Sequence, residues 1–200
     1  MAYLFTDAGH GGSKNGAVWH DTREKDLNLL YTQDLNSTLK ERGHSVYTSR
    51  ISDIRVPSLG VRCRLVNEHH NQQAPAFDAI VSIHCNVSVV EDNGVYKAIA
   101  SRRGMYVIYS AESESAKSLA ASISAKCAAV GVTLNHKGML STLELGRTLA
   151  WIHKTTPPAA VLVELGFMTN PQELEELKSV EYRKKMVKCI ADGIDNYVSS

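Results

Sequence analysis

The chain has 200 residues, 44% of them apolar and 22% charged, a composition typical of a globular protein with a buried hydrophobic core. The formal net charge is +1 and the Lys and Arg residues are scattered, which argues against nucleic-acid binding, because that requires a basic patch. No run approaches the ~20 apolar residues of a membrane-spanning helix, so no membrane span is expected.

The N-terminus and the cysteines bear on the cellular setting. The first residues lack a basic region followed by an apolar stretch and a cleavage site, so we expect synthesis in the cytoplasm without a signal peptide. The four cysteines form no Cys-x-x-Cys pair, which argues against a disulfide framework and against a thiolate zinc site. They are Cys63, Cys85, Cys127 and Cys189. We expect small apolar core residues here, with the role of Cys85 left open.

The first half of the chain alternates short apolar runs with amphipathic segments. Residues 3–6 predict a buried strand. Residues 25–42 predict a helix, because apolar side chains recur every fourth residue and a glycine follows the last turn. Residues 45–49 predict a second strand. A helix is then predicted from about residue 58 to residues 67–70, with Ser58 as its N-cap.

The second half continues this alternation. Three apolar runs predict strands, at residues 79–83, 105–109 and 160–165. Helices are predicted at residues 115–130, from Pro171 onward, and at residues 182–197. Buried strands separated by helices indicate one α/β domain over residues 1–200, with a mostly parallel, twisted sheet flanked by helices on both faces.

Side chains suited to metal-assisted hydrolysis follow or close three of the predicted strands. They are His10, His84 and Glu164. The carboxyl ends of parallel strands meet at one edge of the sheet, so these residues are predicted to be neighbours. Glu24 lies just before the first helix, whose N-terminus would lie at the same edge. Two imidazoles and one carboxylate are a common ligand set for catalytic zinc, which keeps a further position for water.

Glu164 is the candidate for proton transfer. A zinc ion so held would acidify water and polarise a carbonyl group, and a second carboxylate would accept the proton and pass it to the leaving amine. Apolar residues on both sides of Glu164 would raise its pKa toward a useful range. The glycines around His10 allow a sharp turn and leave room for a substrate.

Four segments of the chain resemble, in order and spacing, the signature blocks of zinc-dependent N-acetylmuramoyl-L-alanine amidases of the Amidase_3 type. These segments are residues 6–12, 24–29, 81–86 and 160–171. Weaker similarities include Arg50, Asp53 and Arg62, so the resemblance covers essentially the whole chain. Ala8 replaces the commoner proline, and Cys85 replaces the usual alanine, which would make the site sensitive to oxidation.

This resemblance implies a function and a site. The reaction would be hydrolysis of the amide between N-acetylmuramic acid and L-alanine, so peptidoglycan is the expected partner. One zinc ion per chain would be held by His10, Glu24 and His84, and Glu164 would be the catalytic carboxylate. A compact domain without a signal peptide or a blocking helix resembles the catalytic part of a phage endolysin, which is released to the cell wall at lysis. An excised host domain is the alternative origin.

Other functions remain open at this stage. A cysteine hydrolase would use Cys85 with a nearby imidazole, and a non-catalytic wall-binding module would keep the fold without the reaction. A zinc carboxypeptidase of related architecture would keep the metal and cut a different bond. The sequence does not specify the oligomeric state, the preferred stem peptide, the role of Glu144, or whether a wall-binding domain follows Ser200.

Overall fold

The computed structural model describes residues 1–72 and 75–200. The strands are β1 (Tyr3–Ala8), β2 (Val18–Trp19), β3 (Thr22–Arg23), β4 (Ser45–Thr48), β5 (Ala79–Asn86), β6 (Val89–Asp92), β7 (Val95–Ala98), β8 (Met105–Tyr109), β9 (Leu134–Ser141) and β10 (Ala160–Phe167). The helices are α1 (Glu24–Glu41), α2 (Leu59–Gln72), α3 (Glu114–Ala129), α4 (Thr142–Leu145), α5 (Ala150–His153), α6 (Pro171–Lys178) and α7 (Val180–Val198).

The main sheet has six strands in the order β4-β1-β5-β10-β8-β9. The first four run parallel to one another. β8 runs antiparallel to β10, and β9 runs parallel to β8. The prediction of a mostly parallel sheet is therefore confirmed, with one antiparallel pairing inside it. All five predicted strands belong to this sheet, and β9 is an additional strand.

Helices cover both faces of the sheet, as predicted. On one face the core contains Leu4, Val81 and Val163 and is closed by the buried sides of α1, α3 and α7. On the other face a smaller core around Phe5 and Trp151 includes residues of α2 and α5. Among the described residues, no helix combines the length and apolar character needed to cross a bilayer.

Helix ends follow the signals in the sequence. The Ser58 hydroxyl accepts a hydrogen bond from the Val61 N–H at the start of α2, as expected of an N-cap. Pro171 is the first residue of α6, and the Asn170 side chain accepts from the Glu173 N–H. α1 begins at Glu24 itself. This start brings the Glu24 carboxylate to the sheet edge where β1, β5 and β10 end.

Candidate active site

The structure brings His10, Glu24 and His84 together at the carboxyl ends of β1 and β5. One ligand atom from each residue lies within 4.8 Å of the others. His10 Nε2 is 3.2 Å from Glu24 Oε2, and His84 Nδ1 is 2.9 Å from Glu24 Oε1. The two imidazole rings meet edge to face, with centroids 4.9 Å apart. Residues distant along the chain therefore form one cluster that could hold a metal ion.

The Glu24 carboxylate is buried and oriented by several hydrogen bonds. Oε2 accepts from the Ala17 N–H at 2.8 Å, and Oε1 accepts from Asn28 Nδ2 and the Cys85 N–H, each at 3.3 Å. Burial by itself raises the pKa of Glu24, but hydrogen bonds and charge interactions with His10 and His84 outweigh burial and lower that pKa. The carboxylate is therefore ionised and fixed in position, as a metal ligand requires.

Two glycines make room for this cluster. A Cβ at Gly9 would lie 2.3 Å from His84 Nε2, and a Cβ at Gly16 would lie 2.4 Å from Glu24 Oε2 and 2.6 Å from His10 Cδ2. Gly16 also has a φ of 67°, a conformation that favours glycine. The glycine-rich segment after β1 thus permits close approach of the backbone to the cluster.

Replacing Gly16 with alanine is expected to displace Glu24 or His10 and to weaken metal binding by about tenfold or more. This is the size of effect seen when a residue that hydrogen-bonds to a metal ligand is removed. Zinc affinity measured by chelator competition tests this. Gly131→Ala is the matched control, because Gly131 has a φ of 73° and a Cβ added there would meet no atom of the described residues within 4 Å. This variant should lose a similar amount of folding stability from its backbone conformation and should bind zinc as the wild type does. Equal zinc affinities in the two variants would contradict the steric explanation.

Two buried arginines hold the backbone that carries His10. Arg62 donates to the carbonyl oxygens of Ala8, at 2.8 Å, and of His10. Its guanidinium also pairs with Asp7 at 2.9 Å. Arg50 donates to the Ala8 carbonyl at 3.0 Å and to the Gly9 carbonyl at 3.2 Å. Both arginines are among the weaker similarities to the amidase family found in the sequence. Their positions in the chain do not indicate that they bind the backbone after β1.

Glu164 lies beside His84 across the β5–β10 pairing and beside Tyr106 across the β8–β10 pairing. Its Oε2 atom is buried and has no hydrogen-bond partner among the described residues. Burial raises the pKa of Glu164 to about 7; the Glu24 charge adds to the rise, whereas His84 and Arg147 oppose it. A carboxyl group with this pKa and a free oxygen is suited to proton transfer near neutral pH.

A pocket of about 400 Å³ opens beside the two histidines. One wall is the segment after β1 together with residues 56–59, and the opposite wall is residues 149–151. Its apolar lining consists of Val56, Pro57, Leu59, Leu149, Ala150, Trp151 and Leu162. Asp7, Arg62 and Ser82 lie at its polar floor, where Ser82 donates to Asp7 at 2.6 Å and Arg62 pairs with the same carboxylate. The cluster therefore adjoins a pocket that is large enough for a ligand.

The side chains of Cys85 and Glu144 point away from the cluster. Cys85 is buried in the core beneath α1, and burial raises its pKa well above the usual range. The thiol stays protonated, which does not favour a cysteine nucleophile. Glu144 forms a capping box with Ser141 at the start of α4. Both residues therefore have structural roles in this fold.

Comparisons with known proteins agree with the geometry. The profile of a family described as N-acetylmuramoyl-L-alanine amidase matches residues 4–196. The uncharacterized protein YqiI of Bacillus subtilis is 32% identical over 196 residues, covering 97% of this chain and 84% of YqiI. The N-acetylmuramoyl-L-alanine amidase LytC of the same organism is 31% identical over 198 residues; 97% of this chain aligns with 35% of LytC, so the chain spans about a third of that relative.

A solved structure extends the comparison to three dimensions. The N-acetylmuramoyl-L-alanine amidase AmiC2 of Nostoc punctiforme superposes with a TM-score of 0.80 at 26% identity. The alignment covers 100% of this chain and 98% of that one. The similarity therefore extends over the whole sheet and its helices, and includes the strand ends where the cluster lies.

Proposed function

This chain belongs to the family of N-acetylmuramoyl-L-alanine amidases, and on that premise we propose that it hydrolyses the amide between N-acetylmuramic acid and L-alanine in bacterial peptidoglycan. The observation that carries the proposal is the convergence of His10, Glu24 and His84 beside the buried carboxyl group of Glu164, whose Oε2 atom has no hydrogen-bond partner in the part of the chain that the structure describes. We propose that residues 1–200 act as the catalytic domain. The phage-endolysin origin remains a prediction, which neighbouring lysis genes in the parent genome would support.

The donor set fits a zinc ion. Two imidazoles and one carboxylate are typical protein ligands of catalytic zinc, and Glu24 is ionised and oriented by three protein donors. Gly9 and Gly16 keep the space around the donors free of side chains. The chemistry that a bound zinc ion supplies is activation of water and polarisation of the scissile carbonyl. One zinc ion per chain is therefore the proposed cofactor.

Glu164 performs the proton transfers in the proposed reaction. Within residues 1–72 and 75–200 its Oε2 atom has no hydrogen bond to give up, so it is available to accept a proton from the attacking water. The protonated carboxyl then donates that proton to the amine nitrogen of L-alanine as the amide bond breaks. His84 is adjacent to Glu164 in the strand register, so the metal ligands and the proton carrier lie next to each other.

Digestion of purified peptidoglycan by the zinc-loaded protein tests the proposal. An amidase releases stem peptides with a free L-alanine amino terminus and leaves the glycan strands intact, and a chelator stops the reaction until zinc is restored. Mass spectrometry and amino-terminal labelling measure both effects. Release of a carboxyl-terminal amino acid would instead indicate a carboxypeptidase. Sedimentation with cell walls without any product would indicate a binding module.

The same digestion separates the metal mechanism from a thiol mechanism. The Cys85→Ala variant is expected to keep its activity and its sensitivity to chelator, because the thiol is buried in the core rather than facing the pocket. Loss of activity in a folded, zinc-loaded Cys85→Ala protein would favour the cysteine hydrolase.

A further inference from the structure

We infer that the pocket beside His10 and His84 binds the muramoyl half of the substrate, the N-acetylated sugar with its lactyl arm, while the stem peptide leaves on the side of Glu164. This inference rests on the proposed amidase function. It assigns the two halves of the scissile bond to opposite sides of the cluster.

The position of the proton carrier determines the orientation. Glu164 must reach the amine nitrogen to protonate it, so the peptide half lies over β10 and its neighbour β8. Among the described residues, the pocket lining includes neither Glu164 nor Tyr106. One wall comes from the segment after β1 and residues 56–59, next to His10, and α5 closes the pocket from the other side. The acyl half, which extends away from the amine, is therefore directed toward the pocket.

The sheet face supports this arrangement. Ser82 and Leu162 lie one pleat before His84 and Glu164 on adjacent parallel strands, so all four side chains point to the same face. Ser82 and Leu162 form part of the pocket floor. A group attached to a carbonyl at the cluster can therefore enter the pocket directly.

The chemistry of the lining favours an uncharged group. Of the described residues, seven apolar side chains supply most of the exposed lining surface, and the two buried charges at the floor, Asp7 and Arg62, neutralise each other at 2.9 Å. The Lys14 side chain lines the mouth and is exposed to solvent. Lys14 could pair with one stem-peptide carboxylate at the mouth, but further carboxylates against the apolar walls would lose hydration without gaining a partner. The acetyl methyl, the lactyl methyl and the C–H surfaces of the sugar suit these walls.

The surroundings of Glu164 supply the charge that a peptide requires. Arg147 follows α4 and is exposed, and its positive charge acts on the Glu164 carboxyl. An exposed guanidinium is a suitable partner for a peptide carboxylate. Pocket size agrees as well. A volume of about 400 Å³ lies at the small end of ligand pockets, about 300–1,000 Å³, and suits one sugar unit.

Binding of the two reaction products to the zinc-loaded protein tests the inference. The probes are N-acetylmuramic acid and the dipeptide L-alanyl-D-glutamate, and NMR titration gives both dissociation constants. Ala150→Leu and Val56→Phe narrow the pocket from opposite walls. Each is expected to weaken N-acetylmuramic acid binding by about tenfold or more, the scale of a size misfit in an apolar pocket, with little change for the dipeptide.

Two further variants provide the controls. Arg147→Ala is expected to weaken binding of the dipeptide and to leave binding of N-acetylmuramic acid unchanged. Ala121→Leu adds the same bulk as Ala150→Leu on an exposed helical surface of α3, and both ligands should bind it as they bind the wild type. Because binding requires no catalysis, the result is separate from the digestion test of the proposed function.

Three results would overturn the inference. The first is weaker dipeptide binding in both pocket variants with N-acetylmuramic acid unaffected, which would place the peptide in the pocket. The second is an equal loss for both ligands. The third is no detectable binding of N-acetylmuramic acid to the wild type. If peptidoglycan digestion fails while the two ligands respond separately as expected, the reaction is wrong and the pocket assignment stands.

Discussion

Replacing Glu164 with glutamine is expected to lower kcat by about 10²–10⁴-fold while zinc binding and the fold are retained. The amide keeps the shape of the carboxyl group but cannot accept the proton of the attacking water. Glu164 is not one of the three clustered donors, so the zinc content should equal that of the wild type. Amino-terminal release from peptidoglycan gives kcat, and elemental analysis gives the zinc content.

The stability of the same variant provides an independent check. Burial raises the pKa of Glu164 from 4.5 to about 7 in the metal-free protein. A raised pKa means that the ionised form destabilises the folded state, with the loss growing as pH rises from about 4.5 through 7. Glutamine removes this charge, so the metal-free variant should melt at the same temperature as the wild type or higher. A lower melting temperature at pH 8 would contradict this reasoning.

Glu144→Gln is the matched control for turnover. Glu144 closes the capping box of α4, and glutamine can occupy the same position of a capping box. The variant should therefore fold normally and turn over at about the wild-type rate, since Glu144 is bound to Ser141 rather than to the cluster. Full activity in Glu164→Gln, or a comparable loss in Glu144→Gln, would remove Glu164 from the proposed mechanism.

The regular elements of the fold could be predicted because their patterns are local. The fourfold spacing of Leu27, Tyr31 and Leu35 places one buried stripe along α1. The strand at residues 105–109 has the predicted bounds. Its direction could not be predicted, because a continuous apolar run is equally compatible with parallel and antiparallel neighbours.

The strand β9 shows why other elements escape prediction. It contains Asn135, His136 and Lys137, and the last two have positive φ values of 48° and 55°. Such residues interrupt the alternation that marks a strand, and β9 forms through its pairing with β8, which itself shifts register. The β6–β7 hairpin is different, because its Asn93-Gly94 turn is a local signal that the sequence does contain.

In the candidate site, too, some residues could be predicted from the sequence and others could not. Topology alone indicates that His10, His84 and Glu164 lie at one sheet edge, because each follows or closes a strand. The residues that hold the ligand side chains in place act through tertiary contacts, which no sequence spacing encodes. Arg62, which lies 52 positions from His10, reaches that residue's carbonyl from another element. The need for glycine at position 16 likewise emerges only when Glu24 and His10 are in place.

The second large effect is expected from His10→Ala, which should weaken zinc binding by more than about 100-fold. Outer-shell changes alone cost about 10–100-fold in metal affinity, and this substitution removes one of three protein donors. The fold should persist, because the His10 side chain is 34% exposed and the arginine contacts hold its backbone carbonyl rather than its ring. Chelator competition measures zinc affinity, and circular dichroism measures the fold.

His20→Ala is the control that distinguishes loss of the His10 imidazole from a change in backbone conformation. His20 has a φ of 51° and His10 has a φ of 62°, so alanine at either position must adopt the same unfavourable left-handed conformation. His20 lies in the turn between β2 and β3 and is not part of the cluster. Its variant should therefore bind zinc at wild-type affinity, and any loss shared by the two variants would be a backbone effect. If His10→Ala bound one zinc ion at wild-type affinity, the ion would be held without the His10 imidazole, and the proposed ligand set would be wrong.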